Sequence, residues 1–135
     1  MCVEVQGGLF TSGQRLALAP CGNSSSQAFR AGVAPNSNRI EVVNTASGKF
    51  CLDVYAGNTA AGTAVTLYSC GTSNNQKWAA DSAGRLVPRS APGMCLDSET
   101  GTVATGSRLV INPCSDAPSQ KFVAAAAGEP QLTLS

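Results

Sequence analysis

Apolar residues recur along this chain with a period of two, in short runs, three times over. Leu16 and Leu18, Val65 and Leu67, and Leu109 and Ile111 each flank one residue that faces the other way, the alternation of a half-buried strand. Ahead of each lies another short run: Cys2-Val3-Glu4-Val5, Cys51-Leu52-Asp53-Val54 and Cys95-Leu96-Asp97-Ser98. Between the two sets Gly13, Gly62 and Gly106 supply a turn. Further strands are predicted at Arg39 to Val43 and Arg85 to Val87, each leading into a cysteine run through a Gly-containing turn. No segment has a helix-length apolar period, and the Ala-rich run Val123 to Ala127 is short and stopped by Gly128-Glu129-Pro130.

The runs share one ruler. Cys2 and Cys21, Cys51 and Cys70, and Cys95 and Cys114 are each nineteen positions apart. Counted from the first cysteine, position +11 is Gly13, Gly62 and Gly106, position +25 is Gln27, Gln76 and Gln120, and position +27 is Phe29, Trp78 and Phe122. Five marks repeated three times without insertion make the chain an internal triplication. Its repeats run 1–38, 39–84 and 85–130 within a single domain, 1–135. The first repeat lacks a leading strand, and Gln131-Leu132-Thr133-Leu134 is expected to fill that place and close the ring. Three equal all-β repeats of about four strands predict a closed three-fold barrel, the β-trefoil, because closure removes exposed edges.

Six cysteines allow fifteen pairings. If each repeat treats its own pair alike, the disulfides are Cys2–Cys21, Cys51–Cys70 and Cys95–Cys114, each worth about 3 kcal/mol in the chain-entropy model. Metal binding is disfavoured, since the chain has no His and no C-x-x-C. Disulfides imply an oxidising, secreted or extracellular setting, yet the start Met1-Cys2-Val3-Glu4 has neither the basic nor the apolar part of a signal peptide. With 13% charged residues and a net charge of +1, nothing suggests a nucleic-acid or acidic-membrane surface, and no apolar run is long enough to span a membrane. A neutral partner is expected, with no cofactor. Asn23-Ser24-Ser25 fits the glycosylation pattern, a frequent accident in Ser-rich loops.

Cys51-Leu52-Asp53-Val54, Thr66-Leu67-Tyr68-Ser69-Cys70 and Asn75-Gln76-Lys77-Trp78 resemble the C-L-D-V, Q-L-W/Y-x-C and N-Q-x-W signatures of the ricin-B-type lectins, also called family-thirteen carbohydrate-binding modules. The resemblance covers nearly the whole chain and implies a β-trefoil that binds sugar without catalysis. It implies sugar-binding roles for Asp53, Tyr68 and Asn75, and a polar hydrogen-bonding role for Thr66. The chemistry of these residues points the same way. A carboxylate accepts strong bonds from two hydroxyls, an aromatic face stacks on ring C–H groups, and an amide both donates and accepts. Gln76, matched by Gln27 and Gln120, is expected to make a structural bond that also braces the site. Tyr55 and Asn58 follow the binding strand and either extend the site or serve as plain loop. Trp78 is expected in the core, because its equivalents are Phe29 and Phe122.

The other repeats lack the full set. Repeat one has Glu4, Ala19 and Ser26 at the acid, aromatic and amide positions, and repeat three keeps Asp97 but has Asn112 and Ser119. One principal site is therefore expected in repeat two, with Asp97, Asn112 and Gln120 a weak second one. Galactose-type or xylose-type units, as galactosides or plant-type polysaccharide, fit the neutral site equally. The chain is then either a free lectin or a module of a larger secreted glycoside hydrolase with a covalently linked catalytic domain. An enzyme would need a positioned acid and base, and no such pairing is visible. A trefoil protease inhibitor or heparin-binding module remains the alternative, although the first lacks this cysteine ruler and the second needs a basic patch.

Overall fold

The structure, a computed structural model, describes residues 1–22, 24–31, 38–42, 50–124 and 132–134. Asn23 of the glycosylation triplet, Val43 and Gln131 of the predicted strands, and residues 125–127 lie outside them. Twelve strands are described: β1 (Cys2–Val5), β2 (Leu16–Ala19), β3 (Phe29–Ala31), β4 (Ile40–Val42), β5 (Phe50–Val54), β6 (Val65–Ser69), β7 (Trp78–Ala80), β8 (Leu86–Pro88), β9 (Met94–Ser98), β10 (Leu109–Pro113), β11 (Phe122–Ala124) and β12 (Leu132–Leu134). The only helices among the described residues are five short 3₁₀ turns. None is long and apolar enough to cross a membrane.

Each cysteine run pairs antiparallel with the alternating run that follows it, giving the hairpins β1–β2, β5–β6 and β9–β10. One face of each hairpin carries the apolar phase, with Leu52, Val54, Val65 and Leu67 fully buried, but the strands are not half-buried as the alternation predicted: Ala17, Thr66 and Val110 of the opposite phase are buried too, and in β6 that phase reaches solvent only at Tyr68. Strands β3, β7 and β11 start at the core rings Phe29, Trp78 and Phe122, buried to 5% exposure or less. At three residues each, they are too short to show alternation in sequence and are fixed by pairing with β4, β8 and β12. The sheet β3-β4-β5-β6 has the same build as β11-β12-β1-β2. Thus β12 stands beside β1 as β4 stands beside β5, with Thr133 opposite Cys2 and Glu41 opposite Cys51.

The hairpins are stitched into a ring by their own turns. Gly13 N–H donates to Leu67 O at 2.7 Å, Gly62 N–H to Ile111 O at 2.8 Å and Gly106 N–H to Leu18 O at 2.8 Å. Every repeat therefore donates to the next, and the third donates back to the first. These glycines have φ of 90°, 84° and 88°, a left-handed backbone that side-chain-bearing residues avoid. A further mark at position +6, Gly8, Gly57 and Gly101, escaped the sequence reading; φ is 67° to 69° at all three. Cys2–Cys21, Cys51–Cys70 and Cys95–Cys114 are all bonded, one disulfide per repeat. Together these features make a β-trefoil.

Candidate functional site

Each repeat builds the same bracket on the outer face of its hairpin. The glutamine at +25 ends a 3₁₀ turn and is almost fully buried. Its Oε1 accepts from the backbone N–H just after the second cysteine, from Gly22 at 2.8 Å, Gly71 at 2.7 Å and Ser115 at 2.8 Å. Its Nε2 donates to the carbonyl just before that cysteine, on Pro20, Ser69 and Pro113. The same amide also reaches the acid of the first strand: Glu4 at 3.3 Å, Asp53 at 2.8 Å and Asp97 at 3.2 Å. Buried polar atoms need partners, so the side chain that secures the turn also orients the carboxylate.

What surrounds the acid differs between repeats. In repeat two, Asn75 donates one amide hydrogen to Asp53 Oδ1 at 3.0 Å and the other to Val54 O at 3.1 Å. Both donors are thus committed within the protein, which leaves only the carbonyl oxygen of Asn75 for further bonds, a narrower role than the donor-and-acceptor one expected from sequence. Asp53 accepts two side-chain bonds, leaving about two of its four lone-pair sites. Burial pushes its carboxyl above the ordinary value of 3.8, opposed by the bonds from Gln76 and Asn75. Around it opens a cleft of about 450 Å³ whose walls include Thr66, Tyr68, Asn75, Gln76 and Tyr55. Thr66 is buried, whereas Tyr68 and Tyr55 are 53% and 57% exposed.

Asn58 does not join them. It is exposed, outside the cleft lining, and its N–H closes the turn on Tyr55 O at 3.0 Å. Conversely, the cleft has a wall that the sequence reading missed: Ser12 and Gly13, from the β1–β2 turn of repeat one. Ser12 Oγ accepts from Ser69 N–H at 3.3 Å. The signal was present in the repeated glycine at +11, but its partner strand becomes visible only when the ring closes.

In repeat three, Asn112 and Gln120 both donate to Asp97. Asn112, opposite Cys95 where Tyr68 lies opposite Cys51, turns its amide onto Asp97 Oδ2 at 3.0 Å. Ser98 N–H takes Asp97 Oδ1 at 2.8 Å. With Gln120, three donors occupy Asp97, and Ser119 Oγ at the amide position is buried with no hydrogen-bond partner. In repeat one, Glu4 is held by Ser26 and Gln27 at 3.5 and 3.3 Å, opposite Ala17 and beside buried Ala19. Glu41, Cys51 and Cys70 lie close enough to suggest a metal, but both sulfurs are in the disulfide and Glu41 is paired with Arg39 at 2.7 Å.

Comparison with known proteins adds a family. The model of the ricin-type beta-trefoil lectin domain matches residues 1–122. Among solved structures, the chain is similar to ThreeFoil, a designed three-fold symmetric protein, with a TM-score of 0.70 and 24% identity over 96% of this chain and 86% of that one. It is also similar to the β-trefoil lectin of the Vibrio vulnificus hemolysin/cytolysin, solved with N-acetyl-D-lactosamine bound, with a TM-score of 0.47 and 25% identity over 64% and 75% of the two chains. The first likeness shows the fold, and the second is too distant to add to it. No curated protein matches the sequence.

Proposed function

Because the chain belongs to the ricin-type beta-trefoil lectin family, whose domains bind carbohydrate without catalysis, we propose that it grips a neutral sugar in the cleft of repeat two. The observation that carries this reading is the gathering of Asp53, Tyr68 and Asn75 in one open cleft, when neither other repeat has all three residue types. Asp53 accepts from two vicinal hydroxyls with its remaining lone pairs, a charge-assisted contact. Tyr68 stacks on the ring C–H face, and Asn75 accepts a third hydroxyl. Gln76 holds Asp53 in place, and Thr66 lines the wall beside it. Galactose-type and xylose-type rings are the favoured ligands, since both present adjacent hydroxyls on one edge and an apolar patch on one face.

A shallow single site implies an affinity near the millimolar range, about 4 kcal/mol. Useful avidity then comes from several copies or from a covalently linked partner domain, as in the family-thirteen carbohydrate-binding modules. Three disulfides suit a secreted protein. A glycan array probed with the wild type and with Tyr68→Ala tests the reading. Binding to galactosides or xylosides that collapses in the variant supports it, and a silent array, or one unchanged by the substitution, overturns it.

A further inference from the structure

We infer that the cleft takes a chain of at least two neutral sugar units, with Tyr55 as the platform for the second. The inference rests on Asp53 and Tyr68 forming the primary subsite. The hairpin register supplies the geometry. Tyr68 is opposite Cys51, Asp53 is opposite Thr66, and Tyr55 continues the ladder through its N–H to Ala64 O at 3.0 Å. Along the outer face the order is therefore Tyr68, then Asp53, then Tyr55, each two residues apart. At about 3.3 Å per residue, the two tyrosine backbones are separated by roughly 13 Å.

Stacked rings sit with centroids about 4.5–7 Å apart, so a sugar seated against Tyr68 and bonded to Asp53 leaves Tyr55 beyond its far edge. The next unit of a chain falls there. Both tyrosines of the protein stand at this cleft, each more than half exposed, and the position of Tyr55 is Gln6 in repeat one and Glu99 in repeat three. The backbone at Tyr55 is also unusual. Ala56, next in the chain and in the cleft lining, has a φ of 53°, the only positive φ of a non-glycine among the described residues. Repeat one has Gly7 there, at 74°. Side-chain-bearing residues adopt this conformation at a cost, and such strain concentrates at ligand clamps.

Calorimetry with xylose against xylotriose, and galactose against lactose, tests the inference. The longer sugar of at least one pair is expected to bind about three- to tenfold more tightly, a margin of stacking size. Tyr55→Ala should erase that margin and Tyr55→Phe should keep it, with unchanged melting showing that both variants fold. A wild type without a margin, or a margin that survives Tyr55→Ala, overturns the second subsite while leaving the first standing. Failure of all four sugars to bind overturns the primary site, and this inference with it.

Discussion

Asp53 and Asp97 occupy equivalent places on two hairpins, are both 5% exposed, and are both held by the glutamine of the 3₁₀ turn that follows the partner strand. Asp53 lines a cleft with two protein donors on its carboxylate, whereas Asp97 carries three. Each acid takes one glutamine and one asparagine amide, but Asp97 takes its asparagine from the partner strand, where Asn112 stands in the place of Tyr68, and gains a third donor in Ser98 N–H of its own strand. Two protein donors on Asp53 leave lone pairs for two further donors, whereas three on Asp97 leave room for one. A buried carboxylate demands partners, and the fewer the protein supplies, the more capacity it keeps for a ligand.

The largest effect should be the one in which the two repeats behave alike. Replacing both cysteines of Cys51–Cys70 or of Cys95–Cys114 by serine should cost about 3 kcal/mol and lower the melting temperature by about 10 °C. Reducing all three bonds should abolish cooperative folding at 37 °C. A melt insensitive to reductant would break the shared-scaffold half of the comparison.

Next come the acids, where the repeats should part. Asp53→Asn should weaken sugar binding about 10- to 100-fold, since bonds to a charged group are worth roughly 1.5–3 kcal/mol. Asp97→Asn should leave binding at the wild-type level but lower the melting temperature more, because an amide keeps one acceptor oxygen and turns an NH2 onto the donors that the other carboxylate oxygen accepts. Calorimetry and thermal melts on the pair separate the two roles. Acid should likewise act in opposite senses on sugar binding and on the contribution of Asp53 to stability. The raised pKa of Asp53 means that its protonated form favours the fold, a contribution complete below the unfolded value and lost as pH rises through the folded one. Binding needs the carboxylate, so it should fall on acidification with a midpoint above 3.8.

Exchanging the partner-strand residues, Tyr68 and Asn112, gives a smaller change but a sharper test. Tyr68→Asn should reduce affinity about tenfold through lost stacking and by turning an amide onto Asp53. The reverse change, Asn112→Tyr with Ser119→Asn, should raise the stoichiometry from one sugar to two. A second site that stays silent would show that the lost capacity of Asp97 does not depend on Asn112. Smallest of all, Ala56→Gly should relieve the left-handed alanine and raise the melting temperature by about 1–3 °C.

Much of the scaffold was legible because it obeys local rules. Cysteine, glycine, glutamine and core-ring positions recur at fixed spacing, and strand alternation in β2, β6 and β10 needs no knowledge of partners. Strands β3, β7 and β11 were not legible, since three residues show no period and depend on the strand beside them. The glycines at +6 could have been read, being as regular as those at +11. For the site, residue types pointed to Asp53, Tyr68 and Asn75, but not to the direction of the Asn75 amide.

By itself, then, the sequence determined a three-fold β fold, its disulfide partners and the repeat in which acid, ring and amide coincide, because these follow from periodicity and side-chain chemistry. Tertiary structure alone decided that Ser12 and Gly13 of repeat one wall the cleft of repeat two, that both hydrogens of Asn75 are spent inside the protein, and that Asn112 donates to Asp97. Each of these depends on contacts between residues distant along the chain, set by the cyclic stitching of one repeat to the next and by which hydrogen-bond partner lies nearest once the ring has closed.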